Sequence, residues 1–223
     1  MSHMLPLFLH WVNVVILAKS HNPSILNPDF LRINDIVPTD WEAKEVLTTP
    51  AFATVRYSTN VVFLLDQGRL EVRKEGDTSF QDNYDVHNFA SRYVKILPHV
   101  SYTSVGLNWH ISMEMDEPER FITERFVRPE AWKGRGPELL QSSVKLSFQV
   151  ENATCNINFS PGKAKVLGRE YYPAVIINVN FHYEGPFTPD QIGTIILEWK
   201  MREDYLKQLL PKLLGEVPEC TIQ

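Results

Sequence analysis

The residues best suited to chemistry are histidines and asparagines on two predicted long strands. His110 follows Trp109 in the first of these strands. His182 continues the face formed by Asn178 and Asn180 in the second. Imidazoles can transfer protons, and amides can both donate and accept hydrogen bonds. We therefore interpret these five residues as a candidate binding surface and assign a catalytic role to none of them.

The sequence lacks the common local motifs of catalysis and metal binding. Its 7 histidines include no His-x-x-x-His pair, and its 2 cysteines form no Cys-x-x-Cys pair. Gly134 and Gly136 lie close together but lack the Lys-Ser/Thr of a phosphate-binding loop, and no Gly-x-Ser-x-Gly elbow is present. These absences argue against a local zinc site, a phosphate cradle and a serine hydrolase, although a site assembled from distant segments stays possible. We expect no metal and no cofactor.

Two charged stretches are weaker candidates. The acidic stretch from Glu114 to Glu119 could bind a hard cation, but it lacks the ligand spacing of a calcium loop and is more typical of a solvated loop. The arginines between Arg120 and Arg135, with Trp132 among them, could contact nucleic-acid phosphates. The net charge of -5 argues against nucleic acid and against anionic membranes.

The apolar stretch from Leu5 to Ala18 is interpreted as a buried strand. No Lys or Arg precedes it, and Lys19 occupies the place of a small-residue cleavage site, which argues against a signal peptide. It is shorter than the roughly 20 residues that cross a bilayer, and its β-branched residues favour a strand. Together with the two cysteines, expected to be reduced, this interpretation predicts a cytoplasmic protein.

Alternating apolar residues predict strands in the first half of the chain, at 53–57, 60–65, 69–73 and 102–113. Before the last of these strands, Phe89, Tyr93 and Leu97 recur every four residues. This spacing predicts a helix from Val86 to Leu97 that Pro98 stops.

The second half repeats this pattern in a different order. Strands are predicted from Ser143 onward, ending in a long strand over 174–183. Thr188 and Gln191 then form a capping box around Pro189, which predicts a helix start. The apolar stripe that follows predicts a long amphipathic helix, which we expect Pro211 to kink or break and Gly215 to end.

These elements predict an α+β fold of two similar lobes, each an antiparallel sheet covered by a helix. Residues 1–114 form the N-terminal lobe in this interpretation, and residues 142–223 form the C-terminal lobe with the long helix. Residues 115–141 form a linker-like segment, because this stretch carries several prolines and glycines.

Three runs of the chain resemble a sporadically distributed bacterial family of uncharacterised proteins. They extend from Phe63 to Val72, from Tyr102 to Asn108, and from Ile176 to Gly185, the last followed by a capped helix. That family has a strand pair, a helix and a strand with an arginine-tyrosine-asparagine signature, of which Leu107-Asn108 keeps only the asparagine. The resemblance implies an α+β fold of unknown function and transfers no catalytic residue.

The function predicted from these features is that of a non-catalytic binding or assembly protein. Its partner would be another protein or a second copy of the chain. One alternative is an enzyme whose site combines His110 and His182 with nearby acids, and another is a small-ligand pocket between sheet and helices. A homodimer is expected because apolar side chains surround the first turns of the C-terminal helix. They are Ile192, Ile195, Ile196, Leu197, Trp199 and Met201.

Overall fold

The computed structural model describes residues 7–78, 85–127 and 139–215. Its strands are β1 Leu7–Ala18, β2 Ala43–Thr48, β3 Phe52–Tyr57, β4 Val61–Asp66, β5 Arg69–Thr78, β6 Tyr102–Glu114, β7 Val144–Val150, β8 Ala153–Ala164 and β9 Tyr172–Phe187. Its helices are α1 Pro28–Ile33, α2 Val86–Ile96, α3 Pro118–Phe126, α4 Pro189–Leu197 and α5 Trp199–Leu214. The apolar N-terminal stretch is thus a strand, and the predicted helix from Val86 is confirmed.

All the strands in the described part of the chain join one antiparallel sheet. Their order is β2-β3-β4-β5-β1-β6-β9-β8-β7. β1 lies between β5 and β6, so the first strand of the chain occupies the middle of the sheet. The long strands β6 and β9 pair with each other over most of their length, for example Leu107 with Phe181.

The two faces of the sheet differ because strand side chains alternate in direction. On one face, apolar residues such as Val14, Leu107 and Phe181 are fully buried beneath the helices in one continuous hydrophobic core. The opposite face carries no helix among the described elements and is mainly polar. We call it the open face. This arrangement is the α+β architecture that the sequence predicts.

The predicted separation into two lobes is not confirmed by the structure. The first half supplies β1 to β6 and the second half supplies β7 to β9, but β6 and β9 pair directly. Both halves also contribute to the same hydrophobic core. Two long apolar strands that both need a neighbour satisfy each other's backbone hydrogen bonds, and this pairing joins the halves into one sheet.

The segment expected to be a linker contains structure. α3 lies within it, and Ile122 of this helix is buried in the core. Phe126 stacks on Phe159 of β8 with a ring-centroid distance of 4.8 Å. The proposed basic stretch around Trp132 lies outside the described residues, as does Cys220.

The C-terminal helices begin as predicted and continue differently. Thr188 and Gln191 form the capping box of α4. Pro211 does not end α5, which continues to Leu214 before Gly215 adopts a φ of 82°. The interruption falls instead at Glu198, between α4 and α5. Pro211 lies in the last turns of the helix. Beyond it, Arg125 donates to the terminal carbonyl oxygens of Leu213 and Lys212 at 2.8 and 3.1 Å.

The apolar side chains around these helices are mostly buried within the same chain. Ile192, Ile195 and Ile196 are buried, and α4 packs against α2 and against β6. Trp199 is also buried, whereas Leu197 and Met201 are exposed. Most of the apolar surface that led to the homodimer prediction is therefore already covered. Among the described residues, no helix combines the length and apolarity that crossing a membrane requires.

Candidate binding surface on the open sheet face

Four neighbouring strands place an asparagine at the same level of the open face. The register pairs Asn156 of β8 with Asn180 of β9, Asn180 with Asn108 of β6, and Asn108 with Asn13 of β1. We call these four residues the asparagine row. Because adjacent strands lie roughly 4.8 Å apart, the row extends about 14 Å across the sheet.

Side-chain hydrogen bonds along the asparagine row all donate in one direction, from the β7 side towards β5. They are Ser147 Oγ to Asn156 Oδ1 at 2.7 Å, Asn180 Nδ2 to Asn108 Oδ1 at 2.7 Å, and Asn13 Nδ2 to Glu71 Oε1 at 2.6 Å. The row therefore ends on a carboxylate. The Glu71 carboxylate stabilises the Asn13 amide that donates to it.

The carboxylate of Glu71 is buried and paired with two arginines. Its side chain is 3% exposed, and Arg69 Nη2 and Arg73 Nη2 each lie 2.5 Å from one of its oxygens. Arg73 also pairs with Glu75 at 3.3 Å, and Arg56 pairs with Glu75 at 2.5 Å. Charges on this half of the open face are thus balanced by their neighbours.

His110 is held next to the asparagine row by two contacts. Its Nδ1 donates to Asn178 Oδ1 at 2.5 Å, because that oxygen can only accept. Its ring stacks on Trp11 at a centroid distance of 4.9 Å and an interplanar angle of 6°. Arg73, from the strand on the other side of β1, lies 5.0 Å from the Trp11 ring centroid. His110 donating from Nδ1 leaves Nε2 as an acceptor in the neutral ring.

An apolar patch bounds one end of the polar surface. Tyr172, Ala174 and Ala164 are buried there, with Phe8 and Ile176 packed against them. We call these five residues the apolar rim. The rim is built where β8 and β9 approach their connecting loop.

The loop between β8 and β9 also accounts for an acidic residue that the sequence singled out. Arg169 lies 4.9 Å from the centroid of the Tyr172 ring and pairs with Glu114 at 2.8 Å. Glu117, in the same acidic stretch, pairs with Arg120 at 3.3 Å. In the described part of the chain, no group of three or more His, Cys, Asp or Glu side chains is arranged to hold a metal ion.

Gly106 has no side chain, and the Asn180 amide lies in the space that a side chain would fill. It pairs with His182 and lies two residues before Asn108 on the same face of β6. A Cβ at this position would lie 2.9 Å from Asn180 Nδ2, which is closer than real contacts allow. Any larger residue here would displace the Asn180 amide from Asn108.

The structure brings four of the five predicted site residues onto one face. His110, Asn178, Asn180 and His182 all lie on the open face, at successive levels of the paired strands β6 and β9. His182 also bonds to Glu184 at 2.7 Å. These four residues belong to one continuous surface, as strand alternation predicts.

Trp109 is separated from the other four. Its side chain is 0% exposed and lies in the core, where its ring centroid is 4.5 Å from that of Trp199 and 5.7 Å from that of Phe181. Since successive strand residues point to opposite faces, Trp109 and His110 could not share a surface. Trp109 therefore has no surface to offer a partner in this structure.

The two histidines considered as an acid-base pair do not meet. His110 pairs with Asn178 in the register, while His182 pairs with Gly106. Four strand positions separate these levels, which corresponds to roughly 13 Å. Proton transfer between a shared substrate and both imidazoles requires hydrogen-bond distances at each of them.

Two other groups with nucleophilic potential are buried. His10 Nε2 lies 2.7 Å from Ser112 Oγ, which is 3.1 Å from the Tyr172 hydroxyl, but Ser112 is 0% exposed. Cys155 is a buried free thiol, and burial raises its pKa to about 12, so it stays protonated at neutral pH. Neither group is presented to a substrate.

Sequence inspection missed most of the asparagine row. Asn156 and Asn158 alternate on β8 in the same way as Asn178 and Asn180 do on β9, and that repeat was a usable signal. Asn13 and Asn108 stand singly in apolar strands, and only the register shows that they continue the row.

No family model matches the chain, and no curated protein matches it. The resemblance to the sporadically distributed bacterial family therefore stays a prediction. The function of the site is therefore inferred from the chemistry of its residues.

Proposed function

We propose that the chain is a non-catalytic binding protein that recognises a protein partner through the open face of its sheet. The asparagine row carries this proposal. Aligned amides on a sheet face have spare donors and acceptors, and they are suited to recognising a partner by hydrogen bonds. A reducing, cytoplasmic location remains part of the proposal.

The charge pattern supports a protein partner over a nucleic acid. Arg56, Arg69 and Arg73 on the open face each pair with a carboxylate. Lys145 is a further cation on this face, exposed on β7 opposite Asn158. Binding to phosphates depends on cations that exchange their counterions for the nucleic acid. Cations already neutralised by glutamates contribute little to such binding.

The enzyme alternative has less support. His110 and His182 are separated along the sheet, and the Ser112 hydroxyl is buried. The small-ligand alternative stays a prediction. A second copy of the chain remains a possible partner, for which the exposed Leu197 and Met201 are the available apolar side chains.

Site-specific photo-crosslinking tests the proposal. A benzoylphenylalanine at Asn158, on the open face, should form a discrete adduct with another protein in cells that naturally express the chain. The matched control is the same group at Leu197, which is 76% exposed on α4. We expect an adduct at 158 and none at 197, and loss of the adduct when Asn108→Ala and Asn180→Ala are added.

Equal adducts at both positions, or none at 158, would contradict the proposal. Thermal unfolding of each variant, followed by circular dichroism, shows whether a lost adduct reflects a lost fold. A variant that unfolds cooperatively and forms no adduct has lost binding rather than structure.

A further inference from the structure

We infer that the asparagine row binds the main chain of an extended peptide segment of the partner. This inference rests on the proposed function and specifies what part of the partner is recognised. An asparagine side chain is chemically a peptide unit, with one carbonyl acceptor and N–H donors. A row of such groups is complementary to an extended main chain, which presents N–H and C=O groups in alternation.

The row retains hydrogen-bonding capacity after its internal bonds are made. Asn108 Oδ1 accepts from Asn180 and Asn13 Nδ2 donates to Glu71, so the Asn108 N–H groups and the Asn180 carbonyl lie outside these bonds. Both residues are only partly buried. Amide groups at this exposure can form bonds to a ligand.

Asn13 supplies an independent observation at the end of the row. The residue is 2% exposed, and its Oδ1 has no hydrogen-bond partner. A buried acceptor without a donor carries a free-energy cost, which a donor from a ligand would remove. Because Oδ1 is covered, the exposed part of the row that the peptide contacts is Asn108 and Asn180, next to Asn13 in the register.

The middle of the row, on β6, β8 and β9, favours an uncharged ligand group, whereas both ends of the surface carry charge. Asn13 bonds to Glu71 at one end, and the exposed Lys145 of β7 lies opposite Asn158 at the other. The open-face residues at the neighbouring levels of β6, β8 and β9 carry no carboxylate and no basic group other than imidazole. They are Gly106, Asn108, His110, Thr154, Asn156, Asn158, Asn178, Asn180 and His182. A peptide main chain is neutral and polar and matches the uncharged middle of the row, whereas a phosphate or a carboxylate would need cations there.

The contacts of Trp11 favour a peptide ligand over a sugar or a nucleobase. Sugar rings and bases are held largely by stacking on exposed aromatic faces. The ring of Trp11 is already contacted by His110 at 4.9 Å and by Arg73 at 5.0 Å, from strands on opposite sides of β1. Hydrogen bonding rather than stacking is thus the interaction that this surface offers.

Titration with a capped, uncharged peptide tests the inference. The probe is an N-acetylated, C-amidated octapeptide of alternating threonine and alanine, and the control is the same peptide with N-methyl groups on alternate residues. Binding is measured by isothermal titration calorimetry and by the side-chain NH₂ signals of ¹⁵N-labelled full-length protein. We expect the Asn108 and Asn180 signals to shift with the probe, and N-methylation to weaken binding at least tenfold.

Variants of the row provide the second half of the test. Asn108→Ala with Asn180→Ala should weaken peptide binding at least tenfold, while Asn88→Ala on α2 should leave it unchanged. Gly106→Ala should also weaken binding while keeping both asparagines, because its Cβ displaces the Asn180 amide. Cooperative unfolding of each variant shows that the fold is retained.

The outcomes separate this inference from the proposed function. Peptide binding that is unaffected by the row variants would mean pairing with an edge strand, β2 or β7, and would overturn the inference. Absence of peptide binding, together with a protein adduct at position 158, would also overturn it while the proposed function stands. Binding of cellohexaose in place of the peptide, with no protein adduct, would overturn both.

Discussion

Asn180 Nδ2 donates to Asn108 Oδ1 across 2.7 Å, between strands supplied by the two halves of the chain. The bond lies on the open face at the seam where β6 meets β9. It is therefore both part of the candidate binding surface and a contact that favours this register of the seam, since a one-residue shift of β9 would move Asn180 to the face opposite Asn108.

Asn108→Ala and Asn180→Ala should each lower the free energy of unfolding by about 1 kcal/mol, the typical contribution of a hydrogen bond. The double variant should lose less than the sum of the two, because either substitution alone already breaks the shared bond. Urea denaturation of the four proteins in this cycle measures the coupling. Strictly additive losses would show that the two amides do not interact.

Arg202 should be among the most sensitive residues of the fold. Its side chain is 2% exposed, donates to the Tyr183 hydroxyl at 2.9 Å and pairs with Glu198 and Glu151. Arg202→Met should cost about 3 kcal/mol because it leaves the partly buried Glu198 without its cation. The double variant with Glu198→Gln should recover part of this loss in chemical denaturation. Arg120→Ala, at an exposed ion pair, is the matched control and should change stability little.

A drop in stability below about pH 6.5 is expected from His21, since histidine titrates there in an unfolded chain. Burial lowers the pKa of His21 in the folded protein, and this effect exceeds the opposing effects of the Ile16 backbone and Asp66. As the pH falls below the unfolded pKa, the unfolded state binds a proton that the folded state does not, so folding becomes less favourable. Above that pH, His21 has no such effect.

The free energy of unfolding of the unsubstituted protein and of His21→Gln should be measured from about pH 5 to about pH 8, the range in which histidine titrates. The difference between the two proteins should change with pH by at most about 1.4 kcal/mol per unit. His99→Gln, at an exposed histidine, is measured alongside as the matched surface substitution. Parallel pH profiles for the unsubstituted protein and His21→Gln would contradict the prediction.

Cleavage between the two halves should leave one particle. A specific protease site inserted after Leu140, which is 78% exposed, would separate β6 from β9 along the chain. The register from Tyr102–Phe187 to Glu114–Ala174 and the shared core should hold the fragments together. The nicked protein should elute from size exclusion as the intact one does while giving two bands on a denaturing gel. Elution as two smaller species would instead support two independent lobes.

The homodimer prediction has to be tested with substitutions at exposed residues of the C-terminal helices rather than at Trp199. Trp199 is 4% exposed and packs on Trp109, so Trp199→Glu should unfold the protein rather than dissociate a dimer. Leu197→Glu with Met201→Glu alters exposed side chains and should leave the fold intact. If these residues form a dimer contact, this variant is monomeric in light scattering where the unsubstituted chain is dimeric. A concentration-independent monomer for the unsubstituted chain would rule out the dimer.

Local elements of this protein were predictable because their signals are local. The four-residue spacing of Phe89 and Tyr93 predicted α2, and the capping box at Thr188 predicted the start of α4. Strand alternation also predicted that Asn178, Asn180 and His182 share a face. Each of these depends only on backbone geometry within a few residues.

Strand pairing was decided by the tertiary structure. The sequence of Tyr102–Glu114 does not indicate that this strand pairs with β1 on one side and β9 on the other. That pairing merges the expected lobes into one sheet. The same choice aligns Asn13, Asn108, Asn180 and Asn156. The sequence by itself determined which residues alternate on each strand. Only the packed sheet determined which strands are neighbours, because backbone hydrogen bonds between strands are the same for every sequence and the burial of all nine strands together selects the order.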